Sequence, residues 1–470
     1  MRQLRCALAV AFGSMYALAA QGEPSMPTGA ELAALHSTCL FDAAGTALSL
    51  SEAIERAICS NPHSRKAWAT AVAQLDQLGV AQAAYLPNLS AVGTLGKAHD
   101  ITDTSATAFD SDIASRSQGA TLNLSLTLLD FGKRDANVER SRQLLAAANE
   151  SREVAVIQVF LDTAQAYYDT LDAAAVLEAS QRAEAVSNES LRVASARNAG
   201  GTAALTDQLQ AETAYLQDKA KRLSAQSDLA TAHGNLAVAA GLDPNAPFEL
   251  STVLAESPAA LSLDPPEKLI AAAKAGNPKV AAARANHMAA NAAIDAAIAR
   301  RFPTISLQAS YNATDRRLNP SANTFGITDI PTNSSQRGAN VQLRLTMPLF
   351  DGFSTTHSIH EARAQAEAVR TDLDAAEQEL TLDVWKAYQQ VLAQSQSIEV
   401  TKEIVRVAQE SLSASETRYR LGSGNIVDVL NAQTALAMAE RQRIDALANW
   451  RTARLRLVAS LGNIGMWAIE

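Results

Sequence analysis

The residues most regularly placed for chemistry are two acids that each follow a glycine-containing break. Asp207 and Asp428 occupy equivalent positions in the segments RNAGGTAALTDQLQA and RYRLGSGNIVDVLNA, which align without a gap at an offset of 221 residues. Each segment reads as a helix, a sharp turn and a second helix, because glycine permits the backbone reversal that ends a helix. A carboxylate beside such a turn is either a solvated surface group or, when repeated around a pore, a selector for cations.

Other candidate chemistry in the sequence is sparse. His357 and His360 lie three residues apart in a helical run and could share a metal ion, but two histidines without a third ligand usually face water. No Ser–His–Asp or Cys–His arrangement supports nucleophilic catalysis, and no phosphate-binding loop has the required spacing. We therefore expect no catalytic residue, no cofactor and no metal site.

The N-terminal residues 1–20 indicate a secretory signal, because Arg2 and Arg5 precede a short apolar run that ends in small residues. Beyond it, Cys39 and Cys59 would meet an oxidising compartment, where a disulfide and two free thiols are both consistent with the sequence. The chain has 40 basic and 49 acidic residues, a net charge of −9, and we expect no nucleic acid as a partner.

The two segments belong to a longer internal repeat. The offset of 221 also brings Ala166-Tyr167 onto Ala387-Tyr388, and an offset of 216 brings Asn61-Pro62 onto Asn277-Pro278. Such a repeat sets the architecture of the whole chain. We expect an irregular segment over 21–47, one unit over 48–241, a proline-rich connector over 242–264, a second unit over 265–462 and a tail over 463–470.

Each unit is expected to contain two strands and one very long helix. Apolar and polar residues alternate in Thr121–Leu128 and Val341–Met347, which predicts strands with one apolar and one polar face. A half-buried sheet in a soluble domain would show the same pattern. The runs from Lys133 to about Asn198 and from Ser354 to about Arg420 lack proline and glycine. Each predicts a helix of roughly 100 Å, which suits a coiled-coil-like array better than a compact core.

Three observations favour membrane strands over a soluble sheet. Each strand is about ten residues long, the length that crosses an outer membrane at a tilt. The joining segments, Ala98–Gly119 and Thr314–Gly338, are rich in Asp, Ser, Thr and Asn and are expected to be exposed loops. The chain has a signal but no apolar run long enough for a membrane helix. Because four strands leave open edges that cannot face lipid, the chain must oligomerise to close a barrel.

Together these features resemble the TolC family of outer-membrane efflux and secretion proteins. The resemblance covers essentially the whole mature chain and rests on the duplicated plan, the Asn-Pro pairs, the Asp-Phe-Gly and Asp-Gly-Phe motifs after the strands, and YRLGSGNIVDVLNA. It implies a mainly α fold with a membrane β-barrel. Three chains would each give four strands to a twelve-stranded barrel, continuous with a long α-helical barrel. A homotrimer in the outer membrane of a Gram-negative bacterium, in contact with lipid and extending into the periplasm, is implied.

The resemblance also implies roles at the periplasmic tip. Tyr419 would pair with Asp207, and Asp428 would form a ring of carboxylates in the bore. Two positions depart from the family pattern, because Asn431 is uncharged and Gly424 replaces an arginine that would reach Thr206. The implied pore gate is Thr206, Asp207, Tyr419, Asp428 and Asn431, and the implied adaptor-docking turns contain Gly200, Gly201, Gly422 and Gly424.

The function implied is a passive exit duct in a tripartite exporter, not an enzyme. It would dock to a periplasmic adaptor and an inner-membrane pump driven by ATP or by protons. We expect type I secretion of toxins or other repeat proteins, because the sequence places no lipid-accepting cysteine after the apolar run and ends eight residues after Gly462. One alternative is small-molecule or multidrug efflux, and another, of a different class, is a soluble periplasmic helical interaction protein.

Overall fold

The computed structural model describes residues 48–102, 111–245, 247–250, 264–320 and 332–462. The expected signal, the irregular N-terminal segment, most of the connector and the C-terminal tail lie outside the described residues. Cys39 also lies outside them, but Cys59 is disulfide-bonded, which contradicts a free thiol at that position.

The described chain contains two series of elements with matched helix lengths. The first unit has α1 (Leu50–Ser60), α2 (Pro62–Ala83), β1 (Asn88–Thr102), β2 (Ser111–Leu129), α3 (Lys133–Ala199) and α4 (Leu205–Ala239). The second has α5 (Pro266–Gly276), α6 (Pro278–Ala299), β3 (Thr304–Pro320), β4 (Thr332–Thr346), α7 (Ser354–Arg420) and α8 (Ile426–Ser460). Both units have helices of 11, 22, 67 and 35 residues in this order, which confirms the internal duplication.

The Asn-Pro pairs start the second helix of each unit. The side chain of Asn61 accepts a hydrogen bond from the N–H of His63 at 2.8 Å, and that of Asn277 accepts one from Lys279 at 2.9 Å. The proline that follows each asparagine takes the first helical position, where no backbone N–H is needed. The same local chemistry therefore restarts the chain after α1 and after α5.

The motifs after the strands turn the chain from sheet into long helix. Phe131 and Phe353 both have a left-handed φ, of 53° and 66°, next to a left-handed glycine. Asp130 accepts hydrogen bonds from the backbone N–H and side chain of Arg134, and the guanidinium of Arg134 also donates to the Thr127 carbonyl at 2.7 Å. This arginine ties the start of α3 to the end of β2.

The four strands form one antiparallel sheet in the order β1-β2-β3-β4. Leu124 lies opposite Leu89 on one side and Ala309 on the other, and Ala309 lies opposite Val341. Directly opposed residues share a face of an antiparallel sheet. One face therefore carries apolar side chains on every strand: Leu89, Ala91, Leu122, Leu124, Leu126, Ile305, Leu307, Ala309, Val341, Leu343 and Leu345. The other face carries Ser, Thr, Asn and Gln, including a 2.9 Å hydrogen bond from Gln342 to Gln308.

The strands are longer than the sequence pattern predicted, with 15, 19, 17 and 15 residues. Much of the two segments expected to be loops is therefore strand. These outer halves lack the alternation because polar residues occupy both faces, yet their backbone groups still pair. Periodicity reports burial on one face and cannot detect a ladder that is polar on both.

The apolar core lies at mid-length of the long helices, between the sheet and the turns. In the first unit, Tyr167 of α3 is almost fully buried, and its hydroxyl donates to the Leu48 carbonyl at 3.2 Å. In the second unit the equivalent cluster is built from Val280, Val384, Val391 and Leu457. No helix in the described ranges is both long and apolar enough to cross a membrane.

Candidate functional site

The first helix turn, between α3 and α4, lies at the far end of the long helices from the sheet. The N–H of Gly201 donates to the carbonyl of Asn198 at 3.0 Å, and the N–H of Thr202 donates to that of Arg197 at 2.9 Å. The Thr202 hydroxyl adds a bond to the same Arg197 carbonyl at 3.1 Å. Gly201 has a φ of 70°, in the left-handed region that glycine adopts without steric cost.

The second turn, between α7 and α8, repeats these contacts. Gly422 donates to the carbonyl of Tyr419 and Ser423 to that of Arg418, both at 3.0 Å, and the Ser423 hydroxyl again supports the second bond. Gly422 has a φ of 77°. The two glycine-containing segments are thus the same turn used twice, as their alignment predicts.

Arg197 joins the two turns in the part of the chain that the structure describes. The guanidinium of Arg197, at the end of α3, donates to the Tyr419 carbonyl at 2.5 Å. Its central carbon lies 4.7 Å from the centroid of the Tyr419 ring, within cation–π range. The sequence predicts no role for Arg197. The signal available was that arginine occupies the first position of both aligned segments.

The hydrogen bond expected between Tyr419 and Asp207 is not formed in the described chain. The hydroxyl of Tyr419 is buried and has no hydrogen-bond partner there. Burial raises the pKa of Tyr419, the Arg197 charge lowers this pKa, and the negative charge of Asp207 raises it. Asp207 is therefore close enough to act electrostatically, but the ring is held by the arginine.

The other predicted gate residues are separate from this contact. Thr206, Asp428 and Asn431 are all exposed. Asp428 lies in the first turn of α8. Asn425 caps this helix, because its side chain accepts a hydrogen bond from the N–H of Val427 at 3.1 Å. Because residues three apart in a helix are neighbours, Asp428 and Asn431 face the same side. Neither forms an ion pair within the described chain.

Backbone atoms at the end of α7 lie close to Gly424, the position at which the family pattern has an arginine. A Cβ added there would lie 3.0 Å from the backbone nitrogen of Tyr419 and 3.0 Å from Cβ of Arg418. An arginine at this position would require the turn to shift. Gly424 therefore allows the second turn to close tightly against the end of α7. Gly200 is exposed and has an ordinary φ of −82°.

Behind the turns, α3 and α8 pack together. Ile426 and Val429 are almost completely buried, and Gln433 donates to the Ser190 hydroxyl at 2.6 Å. At their outer surface, the turns expose apolar side chains, since Leu205 is 59% and Leu421 is 77% exposed. The tip is thus firmly packed inside and apolar outside.

The long helices also carry exposed apolar stripes. Leu209, Leu216 and Leu223 follow one another at intervals of seven residues along α4, and each is more than half exposed. Seven-residue spacing places side chains along one seam of a coiled coil. Val400, Ile404 and Val407 form a comparable exposed group on α7.

A partly buried charged pair joins α3 to α8 farther from the turns. Arg451 donates to Asp172 at 3.5 Å, while the second carboxylate oxygen of Asp172 is buried without a partner in the described chain. Burial raises the pKa of Asp172 to about 7, although the Arg451 charge opposes this shift. The sequence predicts no role for this aspartate.

The histidine pair at the start of α7 does not build a metal site. The rings of His357 and His360 lie 6.4 Å apart, edge to face. In the ranges that the structure describes, no group of three or more His, Cys, Asp or Glu side chains could hold a metal ion.

Both repeat units of the chain match the model of a known protein family. The model of the family described as outer membrane efflux protein matches residues 53–242 and 269–463, one match in each unit. Protein CyaE of Bordetella pertussis is 27% identical over 426 residues, covering 90% of this chain and 86% of that protein. Outer membrane protein TolC of Escherichia coli is 26% identical over 427 residues, covering 90% and 84%.

A solved structure shows the same fold at lower identity. A crystal structure of CusC, whose description refers to transmembrane channel formation, has a TM-score of 0.76 and 20% identity. It covers 90% of this chain and 96% of that chain. A helical tunnel that continues into a barrel is the architecture these comparisons support.

Proposed function

The chain belongs to the outer membrane efflux protein family, whose model matches both repeat units, and from this premise we propose that it is the passive exit duct of a tripartite exporter. Its place is the outer membrane, with the helices extending into the periplasm. The alternative of a soluble periplasmic helical interaction protein does not agree with this location.

One observation carries the proposal, which is that the sheet and the two turns lie at opposite ends of the long helices. An amphipathic sheet lies at one end of two 67-residue helices, and the matched turns lie at the other, roughly 100 Å away at about 1.5 Å per residue. A protein that only crossed the outer membrane would need no such helices. The length fits a conduit that reaches a partner deep in the periplasm.

The complete duct is a homotrimer in this proposal. The outer strands β1 and β4 have unpaired edges in a single chain, and open edges are not tolerated in lipid. Three copies would close a twelve-stranded barrel. The exposed leucines Leu209, Leu216 and Leu223 of α4 would then pack against a neighbouring chain. Mass measurement in detergent should give three chains per particle, and a monomer would remove the model.

The proposed gate lies where the turns of the three chains meet. Arg197 holds the two turns of one chain together through Tyr419, so that the closed state requires this contact. Asp207 and Thr206 lie beside it, while the exposed Asp428 and Asn431 of the three chains would line the bore. A ring of Asp428 carboxylates would favour cations.

The outer surface of the turns is the proposed docking site for a periplasmic adaptor. Gly201 and Gly422 give both turns the same tight shape, and Leu205 and Leu421 expose apolar side chains beside them. Because each chain presents two copies of this surface, a trimer would offer six similar positions. The energy for transport would come from an inner-membrane pump, driven by ATP or by protons.

For the cargo, we place type I protein secretion first and small-molecule efflux second. The polar face of the sheet is compatible with a polypeptide cargo. Its residues over the membrane-spanning part are mostly uncharged, as with Ser90, Asn123, Ser310 and Asn340 in one cross-strand row. Such a lining accepts polypeptide segments of either charge. Membership of a family of efflux proteins supports the second possibility.

A gene deletion separates the two cargo classes. In the deletion strain we expect one or more proteins to disappear from the culture medium, while accumulation of a fluorescent dye stays normal. Complementation with the wild-type gene should restore secretion, and complementation with an assembly-deficient Leu343→Arg variant should not. Increased dye accumulation with unchanged secretion would instead establish small-molecule efflux. If neither property changes, the chain is not a duct for either class.

A further inference from the structure

The apolar face of the sheet ends in a row of cations. Lys97 of β1 lies directly opposite Arg116 of β2, which lies directly opposite Arg317 of β3. Because directly opposed residues share a face, all three side chains project from the face that carries Leu89, Leu124 and the other apolar residues. All three are exposed, and together they line one shallow surface depression.

This row lacks an anionic partner within the described chain. None of the three cations forms an ion pair there, although Asp315 lies one row closer to the helices. Asp315 instead accepts a hydrogen bond from the Ser335 hydroxyl at 2.6 Å. Like charges directly opposite one another destabilise a strand pair, so three cations in register call for an external anion.

The height of the row identifies the source of that anion. Along β3, Arg317 lies twelve residues beyond Ile305, where the apolar face begins. At about 3.3 Å per residue and a tilt of about 40°, this is roughly 30 Å along the membrane normal. An outer-membrane barrel has an apolar band about 25 Å tall, so the row lies at the level of the headgroups. It is the end away from the helices, which is the outer leaflet.

We propose that Lys97, Arg116 and Arg317 form a binding site for the phosphate groups of lipid headgroups in the outer leaflet. Arginine binds phosphate oxygens in a bidentate manner, and two arginines with a lysine match a headgroup that carries more than one negative charge. Asn333 completes the row on β4 and can donate a further hydrogen bond. Bound lipid would fix the height of the barrel in the membrane.

The test uses the full-length protein in nonionic detergent and native mass spectrometry. The probes are lipid A, which carries phosphate on a lipid, phosphatidylcholine as a lipid without net charge, and inorganic phosphate. We expect the wild type to retain lipid A and not phosphatidylcholine. The triple variant Lys97→Gln, Arg116→Gln, Arg317→Gln should bind lipid A roughly 10- to 100-fold more weakly, because each basic residue near a membrane surface contributes to the attraction.

Two controls keep the result specific. Arg344→Gln removes an exposed arginine from the other face of the sheet, outside this depression, and should leave lipid retention unchanged. Arg116→Lys with Arg317→Lys keeps the charge and should retain most of the binding, which shows that the variants still fold. Equal retention by wild type and triple variant would overturn the proposal. So would equally effective competition by inorganic phosphate, or a change in ion selectivity of the channel in place of lipid retention.

Discussion

Replacing Arg197 with glutamine should open the periplasmic tip, whereas replacing Tyr419 with phenylalanine should not. The family resemblance implies the reverse, since it assigns the closing contact to the Tyr419 hydroxyl and Asp207. In the structure that hydroxyl has no partner, and the contact is made by the Tyr419 carbonyl and ring. Phenylalanine preserves both of these groups.

The magnitude follows from the two interactions of Arg197. A hydrogen bond from a charged donor contributes about 1.5–3 kcal/mol, and a cation–π contact about 0.5–1 kcal/mol at a partly exposed position. Arg197 is only half-buried, so the lower ends apply, and about 2 kcal/mol per chain is expected. Since 1.4 kcal/mol corresponds to a factor of ten, the ratio of the closed to the open state should fall roughly 30-fold.

Single-channel recording in planar bilayers measures this directly. Arg197→Gln should raise conductance or open probability, Arg197→Lys should have an intermediate effect because it keeps the charge, and Tyr419→Phe should resemble the wild type. Removing a buried hydroxyl without a partner could even tighten the closed state. If Tyr419→Phe opens the channel as much as Arg197→Gln does, the hydroxyl makes the closing contact and our reasoning is refuted.

Three further outcomes test other parts of the molecule. Leu343→Arg on the apolar face should cost about 2–4 kcal/mol near the membrane midplane and reduce the detergent-stable oligomer on gels, whereas Gln342→Arg on the polar face should be tolerated; equal effects would show that the faces are misassigned. The pKa of Asp172 is raised to about 7, so folding stability should increase as pH falls from 8 to 5; Asp172→Asn should remove this dependence in thermal unfolding, and an unchanged slope would contradict the assignment. Asp428→Ala should lower cation preference in bilayer recordings, and unchanged selectivity would exclude a carboxylate ring at this position.

Much of the fold can be predicted from the sequence because the same order of helices and strands is encoded twice. Each copy repeats local signals that act over a few residues, such as the Asn61 cap and the left-handed turn at Gly201. The absence of proline and glycine fixes the two longest helices almost to the residue. The strand lengths could not be predicted, because the outer halves are polar on both faces and show no period.

The candidate site was predicted less completely, for a different reason. The positions of the turns follow from glycine and small residues, which are local. The contact between Arg197 and Tyr419 joins residues more than 200 positions apart, and nothing local specifies which arginine reaches across. The resemblance implies a contact between the Tyr419 hydroxyl and the Asp207 carboxylate, whereas in the structure Arg197 contacts the Tyr419 carbonyl and ring. The close contacts around Gly424 likewise cannot be predicted from the sequence, because they depend on how the turn folds against the end of α7.

The duplication also predicts which kind of contact between turns stabilises the closed gate more strongly. In a trimer the six turns alternate, so the arginine of each copy points at the next copy around the ring. Arg197 meets Tyr419 within one chain, and the equivalent Arg418, which is exposed, would point at the next chain's residue equivalent to Tyr419, which is Asn198. Asn198 has no ring, and its amide already donates to Gln208 at 2.8 Å. In the proposed trimer, the contact between chains would therefore be the weaker one.

The contact within each chain should accordingly contribute more to the closed state than the contact between chains. Arg418→Gln should change conductance less than Arg197→Gln, and Asn198→Tyr should tighten the closed state by giving Arg418 an aromatic partner. Both variants can be recorded beside the wild type in the same bilayers. A larger effect of Arg418→Gln than of Arg197→Gln would place the stronger contact between chains, because the loss of each arginine reports the interface that it holds.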